Sequence, residues 1–458
     1  MSPIHLDSIL RRFGMPALRA TGILGVPRLL NHWNIVLSIA IAGLFGSPAR
    51  GENWPRFRGP TGQGISTETN IPHAWSATQG IRWRTAIPGL GWSSPIVWDD
   101  LVFVTTVSEG NTQCRILALD RRTGQIAWNT LVHEIVPLRK EQKNSYASPT
   151  PVTDGERVYA VFGDGTQVAV DMKGGLLWKN DEVRFYSRHG LGASPLLHGK
   201  LLIMPFDGSN RVAKAGEWPK NSEEEQLGWR IPWDRAEITA LDCATGKRVW
   251  TARRGSSRIA HVSPNIVPVD GKPQLVSPAG DAIQGFDPAD GRRLWTVYSQ
   301  GEGVTPSFAF GDGLIFTSSG FEKTTLRTVR TGGIGDVTET HVAWEQRKGT
   351  PTQPSLLYVA PHLYSITDAG GIVHCYNAKT GEIIYAERVG GNHSASPVFA
   401  DGRILFLSES GETTIVKAGP EFEILARNSV DEKCQASLAV SQGNLFLRTE
   451  SRLLCIGE

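Results

Sequence analysis

The residues with the most chemical potential stand just upstream of a series of short apolar runs: Trp92, Tyr146, Arg188, His189, His261, Glu302, Gln353, His393 and Gln435. Imidazoles such as His189, His261 and His393, if brought together, would bind a transition metal. Arg188 beside His189 would suit an anionic ligand. General-base work needs a carboxylate within reach of a substrate hydroxyl, but the nearest carboxylates to these positions, Glu302 alone and Asp281, form no cluster, so no catalytic residue is expected. None of these residues has the short fixed spacing of a built site, so no metal centre is expected from them. Equally, each could simply hydrogen-bond a neighbouring loop. There is no Gly-rich phosphate loop leading into a helix, no Gly-x-Ser-x-Gly and no His-Glu-x-x-His. Only a fold that returns the chain repeatedly to one place can join these positions.

Such a fold is written in a repeated phrase. Ala118-Leu119-Asp120-Arg121-Arg122-Thr123-Gly124-Gln125-Ile126-Ala127-Trp128 has the pattern of strand, tight turn and strand. Asp120 can accept nearby backbone N–H groups, Gly124 can take a positive φ, and Trp128 closes the unit. Copies run through Asp242, Gly246 and Trp250, through Asp287, Gly291 and Trp295, and through Asn377 and Gly381 to Tyr385. A copy one residue shorter ends at Trp178, and Trp344 and Arg427 close units that lack the phrase. Each unit opens on a small polar residue next to proline: Ser94-Pro95, Ser148-Pro149, Ser194-Pro195, Ser263-Pro264, Thr305-Pro306, Gln353-Pro354 and Ser396-Pro397, with Ser437-Leu438 as the eighth. A period of roughly 40–50 residues with four strands per unit predicts an all-β, eight-bladed propeller of four-stranded blades. The last unit has three strands before the chain ends. The orphan strand Ile81–Ile87, with Trp83 as its aromatic, is expected to supply the fourth and so close the ring. Seven blades is the alternative if the fifth unit is incomplete. Gly332-Gly333-Ile334-Gly335 in that unit suggests a flexible loop.

Residues outside the repeat have other tasks. Arg11, Arg12, Arg19 and Arg28 precede an apolar run from Ile35 to Phe45 and the small residues Ser47-Pro48-Ala49. Residues 1–49 are therefore expected to be a signal peptide that exports the chain, and the run is short for a membrane span. Residues 50–80 are expected to form an arm packed on the propeller of residues 81–458. An insertion from 207 to 237 carries Trp218, Trp229, Trp233 and three successive glutamates. The 458-residue chain has 47 basic and 45 acidic residues; without the leader's four Arg and one Asp, 43 and 44 remain. That near-neutral balance argues against nucleic acid as a partner. The five cysteines include no adjacent or C-x-x-C pair, which excludes a disulfide framework. A Cys434–Cys455 bridge and buried free thiols both remain open.

The phrase Ala-x-Asp-x-x-Thr-Gly-x-x-x-Trp and the Ser-x-Pro openings resemble the tryptophan-docking repeat of PQQ-binding-like β-propellers. The opening Trp54-Pro55-Arg56-Phe57-Arg58-Gly59-Pro60 is similar to that of a group of exported bacterial members with no settled function. The family includes quinoprotein dehydrogenases, which carry pyrroloquinoline quinone (PQQ) and Ca²⁺. It also includes BamB-like scaffolds without a cofactor. In the dehydrogenases a disulfide between adjacent cysteines often caps the quinone, and this chain has no adjacent cysteines. The resemblance therefore implies a cofactor-free, monomeric propeller, periplasmic or secreted, that engages a protein, peptide or glycan through its channel-mouth loops. A PQQ-dependent enzyme or small-ligand binder is the alternative.

Overall fold

A computed structural model describes residues 51–457, apart from 109, 138–139, 188, 209–235, 255–258, 281, 300–303 and 320–323. The leader, Arg188, Asp281, Glu302 and the centre of the 207–237 insertion lie outside the described residues. Eight four-stranded antiparallel blades follow one another along the chain, the fourth carrying one added parallel strand and the last completed by a strand from before the first blade. Blade 1 runs Ile96–Trp98, Leu101–Ser108, Gln113–Asp120 and Ile126–Glu134. Blade 2 begins at Val152–Thr153, blade 3 at Leu196–His198, blade 4 at Asn265–Val269 and blade 5 at Ala309–Gly311. Blades 6, 7 and 8 begin at Leu357–Val359, Val398–Ala400 and Ala439–Ser441. Blade 5 is complete, so eight blades stand. Blade 8 takes its outer strand from Ile81–Ala86, paired with Arg452–Ile456 in the register Trp83↔Cys455 and Thr85↔Leu453. Among the described residues no helix is long and apolar enough to cross a membrane.

The closing tryptophans explain why the turn phrase repeats. Trp83 donates its indole N–H to Arg121 O at 2.9 Å, and its ring lies where a Cβ on Gly124 would be, 2.5 Å away. Gly124 therefore serves twice, taking a φ of 72° and leaving room for the neighbouring blade's indole. The same contact joins Trp128 to Met172 O over Gly174, Trp178 to Cys243 O over Gly246, and Trp250 to Pro288 O over Gly291. Trp344 likewise meets Ala378 O over Gly381. Where the receiving blade has lost the phrase, the contact changes. Trp295 turns into its own blade, fully buried, and bonds Gln274 Oε1 at 2.8 Å. Tyr385 packs edge-on against Phe422. The turn acid is local: Asp120 Oδ1 accepts from Arg122 N, Thr123 N and Thr123 Oγ1.

Two further features differ from or refine the sequence reading. The Gly332–Gly335 segment leads into a strand. Gly335–Asp336 adds a fifth, parallel strand to blade 4, Trp295↔Gly335 and Thr296↔Asp336, before the short helix Thr338–His341. The five cysteines are all buried free thiols, so no Cys434–Cys455 bridge forms.

Candidate functional site

The innermost strands of a propeller all run in one direction along the axis, so whatever precedes them converges at one end. Eight hydroxyl side chains occupy that position and close a ring of hydrogen bonds. Each accepts the backbone N–H of the equivalent residue one blade back: Ser94 N donates to Thr150 Oγ1, Thr150 N to Ser194, Ser194 N to Ser263, and Ser263 N to Ser307. Ser307 N donates to Ser355, Ser355 N to Ser396, Ser396 N to Ser437, and Ser437 N back to Ser94. The distances span 2.9 to 3.2 Å. Without these hydroxyls the same N–H groups would be buried and unpaired.

This ring corrects three of the openings. In blades 2, 5 and 6 the ring members are Thr150, Ser307 and Ser355, each two residues past the expected Ser148, Thr305 and Gln353. Two residues before each ring member lies a second tier: Trp92, Ser148, Gly192, His261, Thr305, Gln353, Ser394 and Gln435. The two tiers line an axial cavity of about 120 Å³, room for several waters. Of the expected site residues, Trp92, His261, Gln353 and Gln435 line it. Tyr146, His189 and His393 do not. Tyr146 packs on Gly163 beneath Lys140. His393 is held within the blade wall, its ring nitrogens 2.9 Å from Leu407 O and Gly390 O. The expected histidine trio is therefore a pair. His189 and His261 meet edge-on at 6.2 Å, and burial, reinforced by His189, pulls His261 down to about 3. Among the described residues no group of histidine, cysteine or carboxylate side chains could hold a metal ion.

The N-terminal arm, a segment without a repeat to reveal its position, supplies the far end of the cavity through Phe57. The arm pairs Trp54 with Val97 of blade 1, and Gly64 and Ser66 with Phe399 of blade 7. It also accepts Thr153 N on Pro55 O, bonds Asn265 through Arg56, and takes Ser441 Oγ on Glu52 O. Arg58, fully buried, donates to the carbonyls of Gln63, Phe308 and Leu356. The arm thus crosses the end where the inner strands finish.

The opposite face carries the long connections. Strand direction alternates across each blade, so the links from a second to a third strand, and from a fourth strand to the next blade, emerge beside the ring's upper tier. These include the 135–145 connection and both ends of the 207–237 insertion. The former reaches across: Lys143 Nζ lies 2.7 Å from Glu409 Oε1, and Ser394 Oγ donates to the same carboxylate at 2.6 Å. Burial raises Glu409, but these hydrogen bonds and the Lys143 charge outweigh it and hold the carboxyl below its usual range. Asn144 Nδ2 donates to His189 O, and Lys433 Nζ sits 5.4 Å from the Trp92 ring centre.

The chemistry offered by the cavity is hydrogen bonding. Its described lining consists of hydroxyls, two glutamines, one imidazole, two aromatic rings and small residues. A quinone with Ca²⁺ needs carboxylate oxygens for the metal, and none of the described lining residues is a carboxylate, so this lining does not fit that pair.

The sequence matches the family described as outer membrane protein assembly factor BamB over residues 65–188, 231–332 and 279–420. In overall shape the chain is similar to BamB from Moraxella catarrhalis, at 15% identity and a TM-score of 0.55, covering 82% of this chain and 98% of that one. It is also similar to the computationally designed Ika8 protein, at 12% identity and a TM-score of 0.54, covering 80% and 97%. At such identities the likeness concerns the fold. A europium-containing methanol dehydrogenase aligns at 12% identity with a TM-score of 0.47, covering 88% and 89%, and bears no weight in the argument. A search of curated proteins returns no match.

Proposed function

Because the chain belongs to the family of outer membrane protein assembly factor BamB, we propose that it is an exported propeller that binds a protein or peptide partner through its channel-mouth face without a resident redox cofactor. One observation carries this reading: the long connections gather on the mouth face, whereas the opposite face is bound down by the arm and by two-residue turns such as Asp401-Gly402. Loops held on a rigid scaffold are where recognition concentrates. The mouth offers side chains of both signs, an indole and amides, a mixture suited to a polypeptide surface. Export would follow from the leader, and the family description places its namesake in assembly at an outer membrane.

The test is site-specific photocrosslinking in the producing cell. A photoreactive residue at Lys433 or Gln435 should give a discrete protein adduct, and one at Lys247 or Lys379, in the opposite turns, should not. Equal adducts from both faces, or none from the mouth, would remove the assignment. Cofactor independence has its own check. Titrating the purified protein with PQQ and Ca²⁺ should leave its absorbance and melting temperature unchanged, and saturable binding with strong stabilisation would reverse that part.

A further inference from the structure

We propose that the axial cavity is a binding site for a small anion, a halide or an inorganic oxyanion, held by the hydroxyl ring and favoured by buried arginines behind it that pair with no carboxylate among the described residues. The first argument is the proton inventory of the ring. A hydroxyl has one proton and two lone pairs. Each ring oxygen already accepts a backbone N–H, which polarises its own O–H toward donation. Ser396 spends its proton on Ser355 at 2.8 Å. None of the other seven donates to another described group, so they converge on the axis as donors. A guest for such a ring should accept hydrogen bonds and need donate none, which describes an anion.

The second argument is independent of the first. Arg58 and Arg448 are each 1% exposed, and among the described residues no carboxylate pairs with either. Both touch the ring's immediate neighbours. Arg58 donates to the carbonyls of Phe308 and Leu356, the residues that follow Ser307 and Ser355. Arg448 donates to Ser93 Oγ at 3.0 Å, beside Ser94, and to Thr105 O. Arg58 Nε, Arg448 Nε and Arg448 Nη2 have no partner. Arg56 bonds Asn265 Oδ1 and, with Phe57, Ser263 and Ser307, lines a second cavity of about 10 Å³. Burial lowers Arg58 and Arg448 to about 9, which leaves them protonated at neutral pH. Buried charges are ordinarily paired, because an unpaired one leaves its desolvation uncompensated. A mobile anion on the axis would supply the missing charge. It would also suit a chamber that carries no carboxylate among its described lining residues.

The test uses the purified protein in chloride-free buffer. Melting temperature is followed against sodium chloride, bromide, nitrate and sulfate, with sodium gluconate at matched ionic strength as the control. At least one small anion should give a saturable rise that gluconate, too large for the chamber, does not. In S307A/S355A, checked for folding by circular dichroism, the apparent affinity should weaken at least tenfold. Should that variant fail to fold, bromide-soaked crystals of the unaltered protein decide by anomalous scattering, with a peak expected inside the ring. A rise that follows ionic strength alike for every salt, or a chamber holding only water in bromide, overturns the proposal.

Discussion

The two ends of the ring solve opposite problems with the same strands. At the arm end the connections are short and the polar groups are spent. Asp120, Asp242 and Asp287 cap their own turns, glycines receive indoles, and one irregular segment touches seven of the eight blades. At the mouth end the connections are long, the contacts are between distant side chains, and donors remain. The contrast teaches that this propeller is held together from one end and presents variation at the other. Stability and recognition are thereby separated along the axis.

The comparison can be broken most directly by removing strands. Deleting residues 81–87 strips the outer strand from blade 8 and exposes two edges. The loss should exceed the ~5–15 kcal/mol that holds an ordinary domain together, and the sign would be absence of a cooperative melt. If that deletion melts like a deletion of 50–60, the closure argument fails. Next in size is the arm itself. Trp54→Ala removes a fully buried indole and should cost about 3–5 kcal/mol by denaturant titration. A cost under ~1 kcal/mol would mean that the arm merely rests on the ring.

A smaller effect distinguishes the mouth by pH. His261 is neutral in the folded chain down to about 3 because it is buried and faces His189, whereas in the unfolded chain it takes a proton near its ordinary 6.5. The unfolded state thus binds more protons between those values, so this contribution is intact above pH 6.5 and is lost as pH falls toward 3. His261→Gln should lose less stability than the parent between pH 7 and pH 4, read from urea midpoints. Parallel losses would place the acid sensitivity elsewhere. The smallest change should come from Lys143→Ala. Its pair with Glu409 is half exposed on the lysine side, so stability should move by less than ~1 kcal/mol, while any partner adduct at Lys433 should weaken. A larger stability loss would show that the mouth connection is structural and not presentational.

How much of this the amino-acid sequence revealed depends on repetition. The Trp128, Trp178 and Trp250 closures were legible because one local phrase performs one task in several blades, and Ile81–Ile87 was legible as the strand missing from the last. The upper tier was half legible. Proline marks each opening in the sequence, but the hydroxyl makes the bond, so Thr150, Ser307 and Ser355 lie two residues past the expected positions. That shift accounts for Tyr146, which precedes Ser148; His189 and His393 lie upstream of correctly placed openings, and His393 is instead held by the carbonyls of Leu407 and Gly390. The places of Phe57, Arg58 and Arg448 beside the cavity were not legible, because their surroundings are assembled from blades far apart in the chain.

The hydroxyl ring has one more consequence. Each blade gives one N–H and takes one, in the same rotational sense, and the last bond returns to the first residue. The local dipoles chase one another around the axis, and their components across it cancel. A ring of this kind counts: a lost or gained repeat leaves a donor and an acceptor that no longer meet. It is also indifferent to where the chain begins, so circularly permuted chains that keep eight repeats would still complete the circle.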